Sequence, residues 1–132
     1  MKVTADTNVL VRAAVGLDDP AQAAASRKAL AAAALIAVPL PILCEFVWVL
    51  QRGYRYDAGV IGSAIRRLMV TANVVLDHAA TEAGLAMLEA GGDFADGVSA
   101  FTGRQLGGEV FLSFDRRAVR LLRDYGAAAA TP

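Results

Sequence analysis

Short apolar segments alternate with longer amphipathic segments along the chain. Residues 2–5, 36–38, 74–76 and 110–112 are rich in apolar side chains and have the length of buried strands. The segments between them have the spacing and length of helices. Strands that alternate with helices favour a parallel sheet covered by helices on both faces. The pattern therefore predicts an α/β fold, a three-layer α/β/α sandwich with a short, mainly parallel central sheet.

Capping residues indicate where the predicted helices begin and end. Asp19 is expected to be the N-cap of a helix that starts at Pro20. Pro41 is expected to open a second helix, and Gly53 to end it in the left-handed conformation. Further helices are predicted over residues 8–14, 57–70, 77–90, 93–106 and 116–125.

The length of 132 residues and an apolar content of 56% predict a single domain over residues 1–132. The alanines of residues 127–130 are interpreted as helix or tail filler. Cys44 is the only cysteine, which excludes an internal disulfide and a cysteine-based zinc site. A buried, inert thiol and the lack of a signal-peptide pattern lead us to expect a cytoplasmic protein.

The formal net charge is zero, whereas nucleic-acid-binding domains are usually basic. The positive charge is nevertheless concentrated. Residues 52–67 contain four arginines and one acid, and residues 104–123 contain five arginines and two acids. Two local basic segments are therefore compatible with a polyanionic partner.

Four acids are expected to meet at one edge of the predicted sheet. Asp6 follows the first strand, and Asp115 follows the strand at 110–112. Asp96 lies in the first turn of a helix, and Glu45 lies about one turn into the helix after the second strand. Ligands of open α/β sheets bind beyond the carboxyl ends of the strands, where all four acids can lie.

Each acid also has a purely structural interpretation. Asp6 and Asp115 can cap the helices that follow them, and Asp93 is a good N-cap in front of Asp96. Glu45 is harder to explain in this way because it lies within an otherwise apolar run. A carboxylate in such surroundings is expected to be paired, neutral or bound to a metal.

An all-oxygen group of ligands favours the hard cations Mg²⁺ and Mn²⁺. Crowded carboxylates repel each other, and a divalent cation removes that repulsion. Such a site predicts chemistry on phosphoryl groups, with the possibility of a second ion about 3.5–4 Å from the first. Thr7, Asn8 and Ser113 are the polar side chains expected to support the acids.

Four segments of this chain resemble the motifs of the PIN domain, and specifically of the VapC-type toxins of bacterial toxin–antitoxin pairs. They are residues 5–10, 45–50, 93–100 and 111–116. Their order and spacing match the family over most of the chain. Ser113 stands where the family often has threonine.

The resemblance implies a Mg²⁺-dependent endoribonuclease that forms a homodimer and is inhibited by a small antitoxin. It implies that Asp6 and Asp96 bind the metal, with Glu45 and Asp115 as further catalytic acids and Asp93 as an accessory acid. The candidates for binding the RNA are Arg12, Arg52, Arg55, Arg116 and Arg117.

Two alternatives remain open at this point. The chain can be a catalytically silent relative that acts as a protein-binding module, or another metal-dependent phosphoryl hydrolase. His78 is the only histidine and lies at a predicted helix start, so we do not expect it to be catalytic.

Overall fold

The computed structural model describes residues 1–132, and it confirms the predicted mixed α/β class, with seven helices and short parallel strands. Every strand pair is parallel, as expected where helices connect successive strands. The elements in chain order are β1 (Lys2–Thr4), α1 (Thr7–Val15), α2 (Pro20–Ala32), β2 (Leu35–Ala37), α3 (Leu40–Arg52), α4 (Ala58–Val70), β3 (Val74–Val75), α5 (His78–Glu89), α6 (Phe94–Gln105), β4 (Phe111–Leu112), α7 (Arg116–Asp124) and β5 (Ala129–Ala130).

The chain divides into two compact units, Met1–Asp77 and His78–Pro132. The first unit contains a three-stranded sheet in the order β1-β2-β3, and the second contains the pair β4-β5. The interpretation of residues 127–130 as filler is wrong, because Ala129 pairs with Phe111 to form β5. The single domain over residues 1–132 stays a prediction.

The core of the first unit depends on one stripe of α3. Its buried residues are Leu43, Phe46, Val47 and Leu50, whose spacing of three, four and seven places them on one face of the helix. Full burial of each side chain contributes roughly 1.5–3 kcal/mol. Helix α1 packs against both α2 and α3, so this stripe holds the segment that follows β1 in place.

Small residues allow α5 and α6 to pack closely in the second unit. A Cβ atom on Gly84 would lie 2.6 Å from the ring of Phe94, and one on Gly97 would lie 2.4 Å from the carbonyl oxygen of Ala83. Both distances are far below contact distance, so these positions accept only glycine in this packing. The close contact of the two helices fixes the start of α6, where Asp93 and Asp96 lie.

The predicted caps are confirmed in part. Asp19 accepts a hydrogen bond from the amide of Gln22 at 3.1 Å, as expected of an N-cap. Asp57, predicted as the first residue of a helix, is instead its N-cap and accepts a hydrogen bond from the amide of Val60 at 2.9 Å. The left-handed end predicted at Gly53 is wrong, because its φ is −83°. The left-handed residue comes two positions later, at Arg55 with φ 57°. The chain therefore turns after the helix has ended.

None of the helices is both long enough and apolar enough to span a lipid bilayer.

Candidate functional site

Asp6 presents its carboxylate without a structural task. It occupies the N-cap position of α1 with extended backbone angles, yet its side chain makes no capping hydrogen bond and is exposed. The capping interpretation of Asp6 is therefore not realised. An uncommitted carboxylate just beyond β1 is available to a ligand.

Thr7, the next residue, has an unusual hydroxyl group. The residue is 3% exposed, and its Oγ1 atom has no hydrogen-bond partner. A buried hydroxyl without a partner costs about 1–3 kcal/mol. Such a group is tolerated where it has a role besides folding, and its position beside Asp6 agrees with the predicted supporting role.

Glu45 is exposed, so the inference that apolar surroundings demand a partner for it is wrong. The buried stripe of α3 begins at Leu43 and includes Phe46, and position 45 lies off this stripe. Trp48, one turn later, is likewise exposed, at 59%. Because the apolar run in the sequence is longer than the buried stripe, the run does not show which side of the helix faces solvent.

Asp93, Asp96 and Asp115 form an acidic cluster in the second unit. Asp93 is the N-cap of α6, and its Oδ1 accepts hydrogen bonds from the amides of Ala95 at 2.7 Å and Asp96 at 3.4 Å. Asp96 is half-buried. Burial raises the pKa of Asp96, and the negative charges of Asp93 and Asp115 raise it further. Asp96 is therefore the acid that gains most from a neighbouring cation.

Asp115 is held by hydrogen bonds on both sides. Its own amide donates to Oγ of Ser113 at 3.0 Å. Its Oδ1 accepts from the amides of Arg117 at 3.0 Å and Ala118 at 3.1 Å, which caps α7. The predicted supporting role of Ser113 thus has a concrete form, because its hydroxyl fixes the turn that presents Asp115. The cap uses only one of the two carboxylate oxygens of Asp115.

Arg12 differs from the other RNA-binding candidates because its side chain is engaged. Its Nη1 contacts Asp18 at 2.7 Å and donates to the hydroxyl of Tyr54 at 3.1 Å, while its Nε donates to Gln22. The hydrogen bond with Asp18 raises the pKa of Arg12. This network ties α1 to the segment after α3, so Arg12 has a structural task. Sequence analysis missed it because Tyr54 is distant in the chain.

The remaining candidates are the exposed side chains Arg52, Arg55, Arg116 and Arg117. Arg117 extends towards Gly91, where its Nη2 atom lies 2.8 Å from the position that a Cβ would take. Sequence analysis missed Arg120 and Arg123, although their spacing from Arg116 was visible. Residues four and seven positions apart lie on one face of a helix.

The acids do not form a complete protein cage for a metal ion. No three His, Cys, Asp or Glu side chains are grouped closely enough to hold a metal ion by themselves. Mg²⁺ keeps several of its waters and binds through one or two carboxylates together with substrate phosphates. The oxygen-only ligands and the repulsion felt by Asp96 agree with this mode. The meeting of Asp6, Glu45, Asp96 and Asp115 in one site stays a prediction.

A family model described as PIN domain matches residues 3–123 of the chain. Among curated proteins, none matches the chain.

Proposed function

Because the chain belongs to the PIN domain family, whose fold is of the nuclease type, we propose that it is a metal-dependent endoribonuclease. It hydrolyses phosphodiester bonds of RNA with a metal-activated water. The observation that carries the proposal is the acidic cluster of the second unit. Asp93 and Asp115 lie close enough to Asp96 for their charges to act on it. Asp93 and Asp115 also cap helices, whereas Asp96 has no capping role.

Asp6 and Asp96 would hold the Mg²⁺ ion, with Asp115 and Glu45 as further acids and Asp93 beside them. When bound, the ion supplies a Lewis acid for the scissile phosphate and a water of lowered pKa. Mn²⁺ is a plausible substitute, since it accepts the same oxygen ligands.

The neighbouring residues hold these acids in position. The buried side chain of Thr7 fixes the start of α1 next to Asp6. Ser113 fixes the turn before Asp115. Asn8 is exposed on the first turn of α1, where its amide can orient a phosphate oxygen or a water. Hydrogen bonds that position catalytic groups before the substrate arrives reduce the reorganisation that the reaction requires.

Cleavage by the purified chain tests the enzymatic proposal. The chain, freed of any bound protein, is expected to cut RNA with Mg²⁺ or Mn²⁺ and to be inactive with EDTA. Asp6→Asn and Asp96→Asn are expected to lose more than about 100-fold in rate, since even changes to residues that only orient metal ligands cost about 10–100-fold. Asp57→Asn is the matched control because it removes one carboxylate charge but keeps a capping oxygen on α4. Cleavage that survives in both Asp6→Asn and Asp96→Asn would contradict the proposal.

We also propose that the chain is the toxin of a type II toxin–antitoxin pair and forms a homodimer. Support comes from the resemblance of its four motifs to VapC-type toxins. Production of the wild-type chain is expected to stop growth, whereas production of Asp96→Asn is not. Light scattering is expected to give twice the mass of one chain. A monomer at all micromolar concentrations would contradict the dimer, and harmless production of an active nuclease would contradict the toxin role.

A further inference from the structure

Helix α7 directs its arginines to two different places. Arg116, Arg120 and Arg123 line one groove of about 400 Å³, together with Val119, Asp124 and Thr131. Arg117 extends to Gly91 instead. The spacing of four and three residues explains the grouping, because it puts the first three arginines on one helix face.

The residues that line the groove carry an excess of positive charge. They include three arginines and one acid, Asp124. Arg116, the first of these arginines, directly follows Asp115 in the sequence. From Arg116 to Arg123 the helix rises about 10 Å. At about 3.4 Å per nucleotide of a stacked strand, this length covers about three nucleotide steps.

One arginine of the groove is already ordered. Nε of Arg123 donates to the carbonyl oxygen of Ala129 at 2.8 Å, which fixes the guanidinium group beside β5. Its terminal nitrogens remain available as donors. Planar guanidinium groups bind phosphate oxygens in a bidentate manner, and a fixed group loses less entropy when it does so.

An exposed aromatic side chain lies two residues before the first arginine of the groove. Phe114 is 81% exposed, and it lies between Ser113 and Asp115, whose hydrogen bonds fix the turn. Its Cα is at most about 7 Å from that of Arg116. Aromatic side chains beside a basic groove are typical of single-strand binding, since bases stack on the ring only when they are unpaired.

We propose that the groove of Arg116, Arg120 and Arg123 binds the backbone of single-stranded RNA, and that Phe114 stacks on an unpaired base beside the acids. The inference rests on the proposed ribonuclease function and names the side chains that hold its substrate. It adds Phe114, Arg120 and Arg123 to the substrate-binding residues.

Binding of a fluorescent single-stranded 12-nucleotide RNA in EDTA tests the groove without cleavage. Arg120→Gln is expected to weaken binding and to reduce the slope of log affinity against log salt by about 0.7 for each lost phosphate contact. Lys28→Gln is the control, because it removes one exposed positive charge from α2, outside both basic segments of the chain. An unchanged slope in Arg120→Gln, or an equal change in Lys28→Gln, would contradict the proposed role of the groove.

Substitution of Phe114 is expected to affect RNA binding in a different way from substitution of Arg120. Phe114→Ala is expected to weaken binding of the single strand by about 5- to 150-fold, the range of one base–aromatic stack, without changing the salt slope. Phe114→Trp is expected to retain binding. A duplex of the same sequence is expected to bind more weakly and to be insensitive to Phe114→Ala. Equal loss of duplex and single-strand binding in Phe114→Ala would overturn the stacking role.

The outcomes separate the two proposals. If the wild-type chain cuts RNA but Arg120→Gln and Phe114→Ala bind RNA like the wild type, the proposed role of the groove and of Phe114 is wrong. The proposed ribonuclease function is then unaffected. If the variants bind RNA as expected but the wild-type chain does not cut RNA, the proposed role of the groove is supported and the proposed ribonuclease function is wrong. If the wild type neither binds nor cuts any RNA, both are wrong.

Discussion

The Cα of Gly97 in α6 lies so close to Ala83 in α5 that an added Cβ would be 2.4 Å from the Ala83 carbonyl oxygen. Because backbone cannot move aside as a side chain can, Gly97→Ala is expected to lower the free energy of unfolding by about 1–3 kcal/mol. Gly103→Ala in the same helix is the control, since nothing lies within 4 Å of its added Cβ. That control is expected to be stabilising by about 0.5–1 kcal/mol. Urea unfolding measures both, and equal effects would contradict the close packing.

Asp96→Asn is expected to raise the thermal stability of the chain at pH 7 and to abolish cleavage. Burial and the charges of Asp93 and Asp115 raise the pKa of Asp96, so the folded chain binds this proton more tightly than the unfolded chain. The contribution of Asp96 to the stability of the fold is therefore greatest at low pH. It falls as the pH rises above 3.8, the ordinary pKa of the group, and through the raised pKa of the folded chain. Asp96→Asn should therefore raise Tm at pH 7, and the gain should shrink towards pH 3, while cleavage is lost. Thermal unfolding in EDTA measures the effect, and a lower Tm for Asp96→Asn at pH 7 would contradict it.

Asp18 is expected to show the opposite dependence on pH. Its hydrogen bond with Arg12 lowers the pKa of its carboxyl group. The contribution of this group is present above the ordinary value of 3.8 and is lost as the pH falls through the lowered pKa. Asp18→Asn should lower Tm at pH 7, with the difference closing in acid. It should also shrink in 1 M salt, where the screening length is about 3 Å. A Tm difference that persists in acid would indicate a cause other than this ion pair.

Thr7→Val tests the buried hydroxyl next to Asp6. Removal of a polar atom that has no partner is expected to raise the free energy of unfolding by about 1 kcal/mol. Cleavage is expected to fall, because the hydroxyl is no longer there to orient a ligand or the substrate phosphate next to Asp6. Thr7→Ser, which keeps the hydroxyl, is expected to retain cleavage despite some loss of packing. A Thr7→Val chain that is less stable than the wild type and fully active would show that the hydroxyl neither destabilises the fold nor contributes to cleavage.

Local sequence signals predicted the elements and several caps correctly. Asp19 beside Pro20 and Asp93 before α6 are examples, since a cap depends on residues within one turn. What failed depends on contacts distant in the chain. The strand at Ala129 exists only because Phe111 pairs with it, and the composition of an alanine run does not reveal that partner.

Within the candidate site, position along the chain was more informative than hydrophobic surroundings. The placement of Asp6 after β1 and of Asp115 after β4 was predicted from the alternating pattern. The inference that apolar neighbours demand a partner for Glu45 was wrong, because position 45 lies off the buried stripe that includes Leu43 and Phe46. The engagement of Arg12 with Tyr54 needed the fold itself.

The capped start of α7 also has a spectroscopic consequence. One oxygen of Asp115 accepts the amide protons of Arg117 and Ala118, while the same carboxylate contributes to the field at Asp96. A change of charge among the acids therefore alters the strength of two backbone hydrogen bonds. The amide resonances of Arg117 and Ala118, and their rates of exchange with solvent deuterium, are natural reporters of ion or proton uptake. They can be followed in a chain that has lost all turnover.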